Sequence, residues 1–159
     1  MYIILSNWFK NRPFIAKMVL YFHNMITVYV YLLFVYVNAH LALNKRLYDL
    51  LMTVLLCGAG FVGVTMLRRI FKRPRPYEMY GYTPVLSRKG KGDSFPSRHT
   101  YSVTVIAIAS YQISPILFTV NMVLAVILGV LRVIGGVHRI SDVLCAYAIA
   151  VLIGILFNF

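Results

Sequence analysis

The chain has 159 residues, 60% of them hydrophobic and 13% charged, with a mean hydropathy of +0.77. A soluble domain of this length is about half apolar and a quarter charged. Too little polar surface remains to coat a soluble globule, so the composition points to a single membrane-embedded domain over 1–159. Sixteen Lys and Arg against four acids give +12; most of these cations crowd the ends of apolar spans, which favours lipid headgroups or phosphate over nucleic acid.

Residues 1–16, with Trp8, Phe9, Lys10 and Arg12, read as an interfacial amphipathic helix. The opening "MYIILSNWFK" has no basic leader region and no small-residue cleavage site, so the first apolar span is expected to act as the insertion signal. Five apolar runs follow, at 18–39, 47–67, 98–112, 115–132 and 141–158. Runs of this length are helices, since barrel strands need only about 10 residues. The expected fold is therefore all-α: a multi-pass transmembrane bundle of about five spanning helices plus the N-terminal interfacial helix. The third and fourth runs are short and are expected to extend into their polar flanks. Between them "QISPI" supplies a capping Ser114 and a Pro115 suited to a first helical turn.

With five alternating spans, the connections 68–97 and 132–141 fall on one membrane face. The other face receives the loop at Lys45 and Arg46 and the turn near Ser114. Cys57 and Cys145 both sit in apolar runs and read as small core residues, not a disulfide or metal ligands. The four acids, Asp49, Glu78, Asp93 and Asp142, are scattered. Magnesium-dependent phosphoryl transfer gathers carboxylates on the metal, so no metal or cofactor is expected, and any phosphate chemistry falls to Arg, Lys and His.

Three clusters on the shared face carry chemistry. "RRIFKRPRP" (68–76) ends the second run without an acid. "GDSFPSRHTYS" (92–102) sets Ser97, Arg98 and His99 at the start of the third, where a helix N-terminus offers free N–H groups and a positive dipole end to an anion. "LRVIGGVHRISD" (131–142) places Arg132 at the end of the fourth, with His138 and Asp142 four apart. If that segment is helical, the spacing stacks the pair on one face. Asp142 can then accept from one ring nitrogen of His138 and leave the other basic and nucleophilic.

These residues resemble the type 2 phosphatidic acid phosphatases of the vanadium haloperoxidase superfamily. The family signature is Lys-x6-Arg-Pro, Pro-Ser-Gly-His and Ser-Arg-x5-His-x3-Asp. This chain reads Arg68-x6-Arg75-Pro76, Pro96-Ser97-Arg98-His99 and Leu131-Arg132-x5-His138-x3-Asp142. Arg68 stands for Lys, Arg98 for Gly and Leu131 for Ser. The resemblance implies a lipid-phosphate phosphatase acting through a phosphohistidine on a membrane lipid in the bilayer. The substrate would be phosphatidate, phosphatidylglycerol phosphate, a polyprenyl (di)phosphate or a lipid A-type phosphate. It further implies that His138 attacks phosphorus, Asp142 supports it and His99 protonates the leaving oxygen. Arg68, Arg75, Arg132, Ser97 and the Arg98 backbone would hold the phosphate oxygens. Two alternatives stay open: a lipid phosphotransferase, and a non-catalytic lipid-phosphate binding or transport protein.

Arg69, Lys72 and Arg73 read as anchors or headgroup contacts, and His23 and His40 as packing or interfacial residues. Arg88, Lys89, Lys91 and Arg139 read as solvated charge. All cations but Lys45 and Arg46 fall on the active-site face. By the positive-inside rule that excess would place the site in the cytoplasm. The resemblance favours the outer leaflet, and a site that collects phosphate inflates the count. The expectation is a multi-pass cell-membrane protein with an extracytoplasmic site.

Overall fold

The structure, a computed structural model, describes residues 1–86 and 92–157. Arg88, Lys89 and Lys91 lie outside the described residues. In chain order the helices are α1 (Tyr2–Lys10), α2 (Pro13–Leu43), α3 (Leu47–Phe71), α4 (Pro76–Tyr80), α5 (Arg98–Ala109), α6 (Pro115–Ile134) and α7 (Ile140–Gly154). A 3-10 turn at Ser110–Gln112 ends α5. No strand occurs among the described residues.

Three segments are long and apolar enough to cross a membrane: Pro13–Leu43, Leu47–Tyr80 and Pro115–Ile134. The first exceeds the expected 18–39 because the interfacial helix stops at Lys10. Pro13 bars its predecessor from helical backbone, and Arg12 takes φ −137°, ψ 67° before Pro13 opens α2. Ser114 and Pro115 behave as expected: the Ile116 N–H donates to Ser114 Oγ at 3.2 Å and Pro115 starts α6.

The 98–112 run departs most from its expectation. Its helix is 12 residues, about 18 Å long, against a hydrocarbon core of about 30 Å. It does not extend far into its polar flanks. Instead α5 is central, packed by α2, α3, α6 and α7, and every residue from Val103 to Ala109 is buried. A helix enclosed on all sides needs no amphipathic face. Its polar groups find partners within α5 or on a neighbouring helix: Thr104 Oγ1 donates to the Thr100 carbonyl at 2.7 Å, and Tyr101 Oη to the Cys57 carbonyl of α3 at 3.3 Å. The second contact depends on Gly60, where a Cβ would overlap the Tyr101 hydroxyl. Small α3 and α7 residues let α5 sit at the axis.

The two polar connections meet at one end of the bundle, as parity requires. The Leu86 N–H donates to the Gly135 carbonyl at 3.2 Å, and the Ser94 N–H to the Arg73 carbonyl at 2.9 Å. At the other end Arg46 Nη1 donates to the Gln112 carbonyl at 2.8 Å. Helix α1 covers the connection at the first end, where Ser6 Oγ donates to the Thr83 carbonyl at 3.0 Å.

Candidate active site

Ser97 caps α5. Its Oγ accepts from the Thr100 hydroxyl at 2.9 Å and lies 3.4 Å from the Thr100 N–H. Its own N–H donates to the Asp142 carbonyl at 3.0 Å, which ties the start of α5 to the start of α7. His99, one residue into α5, is half-buried beside His23 of α2, with ring centroids 5.7 Å apart. The Arg98 guanidinium lies over the Phe61 ring of α3, 5.7 Å from its centroid, leaving its backbone at the helix start.

His138 does not share a helix with Asp142. Helix α7 begins at Ile140, with extended Arg139 (φ −84°, ψ 159°) as its N-cap. Asp142 is the third helical residue and reaches back to accept the Arg139 N–H at 3.0 Å. That capping geometry, rather than a helical i,i+4 stack, leaves His138 Nδ1 3.5 Å from Asp142 Oδ2. Both side chains are fully buried. The carboxylate also accepts from Ser94 Oγ and, at 3.1 Å, from Arg73 Nη1.

Arg132, in the last turn of α6, stands between two imidazoles. Its Nη1 is 3.0 Å from His23 Nε2 and its Nη2 is 3.0 Å from His138 Nε2. A guanidinium can only donate, so both Nε2 atoms accept and both rings are neutral with the proton on Nδ1. The tautomer fits the other partners, since His138 Nδ1 faces Asp142 and His23 Nδ1 lies 3.0 Å from Asn24 Oδ1. Burial pushes His138 well below the usual imidazole range; Asp142 pulls it up, and the Arg132 and Arg75 charges push it further down. The ring therefore keeps its Nε2 lone pair at neutral pH.

The other two expected phosphate ligands are anchored on backbone beside the same residues. Arg68 Nη1 donates to the Pro96 carbonyl at 2.9 Å, next to Ser97. Arg75, fully buried, donates from Nη1 to Val137 at 2.8 Å, from Nη2 to Asp93 at 3.1 Å and from Nε to Gly92 at 3.2 Å, all carbonyls. The structure thus gathers all eight expected site residues at one end of the bundle. A cleft of about 290 Å³ opens there, lined by Leu20, His23, Asn24, Leu86, His99, Arg132 and Val137. Apolar furrows elsewhere, such as one of about 430 Å³ beside Phe118 and Met122, lie on the lipid-facing helices and hold no such chemistry.

Sequence reasoning missed three contributors. Arg73, read as an anchor, holds Asp142; Ser94 shares that carboxylate; His23, read as packing, holds Arg132. A signal existed for His23, because an ionisable group inside a span is expensive and marks a site by default. Ser94 and Arg73 gave none, since only the folded loop brings them to residue 142.

The profile of the PAP2 superfamily matches residues 46–158. The chain belongs to the PAP2 superfamily. Among solved structures it is similar to LpxE of Aquifex aeolicus, at 21% identity over 98% of this chain and 93% of that one, with a TM-score of 0.73. It is also similar to the first transmembrane PAP2-type phosphatidylglycerolphosphate phosphatase structure from Bacillus subtilis, at 22% identity, 98% and 90% coverage and a TM-score of 0.67. At these identities the likeness establishes the fold. No curated protein matches the chain. The PAP2 match contains every motif residue from Arg68 to Asp142, whereas α1, α2 and His23 precede it.

Proposed function

We propose that this PAP2 chain hydrolyses a phosphate monoester or pyrophosphate of a membrane lipid without metal. The observation that carries the reading is the His138 arrangement: a neutral buried imidazole with Nδ1 toward Asp142 and Nε2 toward Arg132. The Nε2 lone pair attacks phosphorus as the ester P–O bond breaks, and His99 gives its proton to the departing alkoxide. The imidazolium of the phosphohistidine is supported by Asp142. Water, deprotonated by His99, then attacks phosphorus; the P–N bond breaks, releasing inorganic phosphate and restoring both histidines. Arg68, Arg75, Arg132, the Ser97 hydroxyl and the Arg98 N–H stabilise the charge spread over the phosphoryl oxygens. Among the described residues no group of three or more His, Cys, Asp or Glu could hold a metal ion, and the reading assigns that charge to guanidinium groups.

One of the two similar solved proteins is named a phosphatidylglycerolphosphate phosphatase; phosphatidylglycerol phosphate, phosphatidate, a polyprenyl (di)phosphate and a lipid A-type phosphate form the substrate panel. Phosphate release from these four lipids, in detergent with excess EDTA, should be positive for at least one. Loss of release on chelation, restored by magnesium, would show the metal-free mechanism wrong. Binding without turnover would make the chain a lipid-phosphate carrier, and label passing to a second lipid a phosphotransferase.

The site is further proposed to open on the extracytoplasmic face of the cell membrane. In a variant lacking Cys57 and Cys145, a Gly90→Cys substitution should react with an impermeant maleimide in intact cells. Reaction only after lysis would place the site in the cytoplasm.

A further inference from the structure

We infer that His23 is a positioning residue for Arg132, holding one arm of the guanidinium while the other passes from His138 to an incoming phosphate. The inference rests on the phosphatase reading and adds a residue from α2, outside the matched 46–158 region.

The geometry has three parts. His23 is 7% exposed, and its Nε2 takes Arg132 Nη1 at 3.0 Å. Its Nδ1 lies 3.0 Å from Asn24 Oδ1, which fixes the tautomer that leaves Nε2 an acceptor. The opposite arm of the same guanidinium occupies His138 Nε2 at 3.0 Å, the lone pair that must attack phosphorus. In this arrangement Arg132 masks the nucleophile. A phosphoryl oxygen entering the cleft draws the Nη2 donor away and exposes His138, because a dianion is the stronger acceptor. Arg132 must move that arm without leaving the site, and the Nη1 bond to His23 is the pivot. Both His23 and Arg132 line the cleft with His99, so the pivot stands where the lipid phosphate must arrive.

The test uses the full chain in detergent micelles, reading kcat and KM on a lipid phosphate and, separately, binding of inorganic phosphate. His23→Leu should lose roughly 10- to 100-fold in kcat/KM, the size expected for one hydrogen bond to a charged group, and bind phosphate more weakly. His23→Gln, whose Oε1 reaches the place of Nε2, should recover most of both; His23→Asn, too short to reach it, should not. In an Arg132→Met background, His23→Leu should cost nothing further, because the residue acts through that guanidinium. If His23→Leu does not fold, the Gln and Asn variants make the same comparison. Additive losses with Arg132→Met, or equal behaviour of Gln and Asn, would overturn the inference. If the wild type releases no phosphate from any lipid while phosphate binding follows this pattern, the phosphatase reading fails and the pivot stands. A wild type that neither binds phosphate nor turns over sinks both.

Discussion

His138→Ala should lose nearly all turnover yet still bind the lipid phosphate. The substitution removes the Nε2 atom that Arg132 addresses but leaves Arg68, Arg75 and Arg132 in place. His99→Ala should fail differently. It retains the nucleophile and lacks the acid for a poor alkoxide leaving group, a defect of roughly 10²–10⁴-fold. An aryl phosphate, whose leaving group needs no proton, should rescue His99→Ala far more than His138→Ala. Rapid quench should trap an acid-labile, base-stable phosphoenzyme with the wild type and none with His138→Ala. Asp142→Asn should lie between them, because it keeps the capping shape but weakens support for ring charge. The wild-type pH profile should be bell-shaped. Its acid limb should lie below the ordinary imidazole value of 6.5, since the folded site lowers the His138 pKa and keeps the lone pair free as pH falls. The alkaline limb reports loss of the general acid. Substantial turnover by His138→Ala, or label on Ser97, would show the nucleophile misassigned.

Arg75→Met should unfold the site end of the bundle as well as weaken phosphate binding. Arg75 is fully buried and clamps the carbonyls of Gly92, Asp93 and Val137, three points on the two polar connections. Methionine fills the volume and strands all three acceptors. Even at about 1 kcal/mol for each hydrogen bond lost, the loss reaches about 3 kcal/mol, a large share of a typical margin of about 5–15 kcal/mol. Arg75→Lys should recover only part, because a point ammonium cannot serve a three-way fork. Denaturant unfolding in micelles reads the effect directly. Unchanged stability with lost phosphate binding would make Arg75 a ligand and not a clamp.

The helical class, the shared face of the two connections and the three motif clusters were legible because each rests on local pattern: apolar run length, span parity and residue spacing. The role of α5 was not. Run length measures hydrophobicity along the chain and says nothing about which helix the others enclose; the enclosed one is short and carries Thr100, whose hydroxyl donates to Ser97 Oγ, and Thr104, which donates to the helix backbone. The His138–Asp142 contact was anticipated from the right spacing for the wrong reason. An acid at the third position of a helix reaches its N-cap, and the residue before the cap comes with it. Arg73 and Ser94 were out of reach, since they approach Asp142 only in the folded connection, which α3 enters through a left-handed turn at Lys72 (φ 44°, ψ 33°).

The hydrogen bond from the Ser97 N–H to the Asp142 carbonyl has a mechanical meaning. It joins the first turns of α5 and α7 into one plate, one carrying His99 and the other the carboxylate that faces His138. Bilayers of different thickness are met by tilting and bending of lipid-facing helices, here α2, α3 and α6, which hold the three spanning segments. The distance between His99 and the Asp142 carboxylate is set on the plate inside them, while His138 sits in the connection before α7, its N–H bonded to the Arg132 carbonyl of α6 at 3.3 Å. A thinning or thickening membrane should therefore shift the spanning helices before it alters the spacing of His99 from the carboxylate that faces His138.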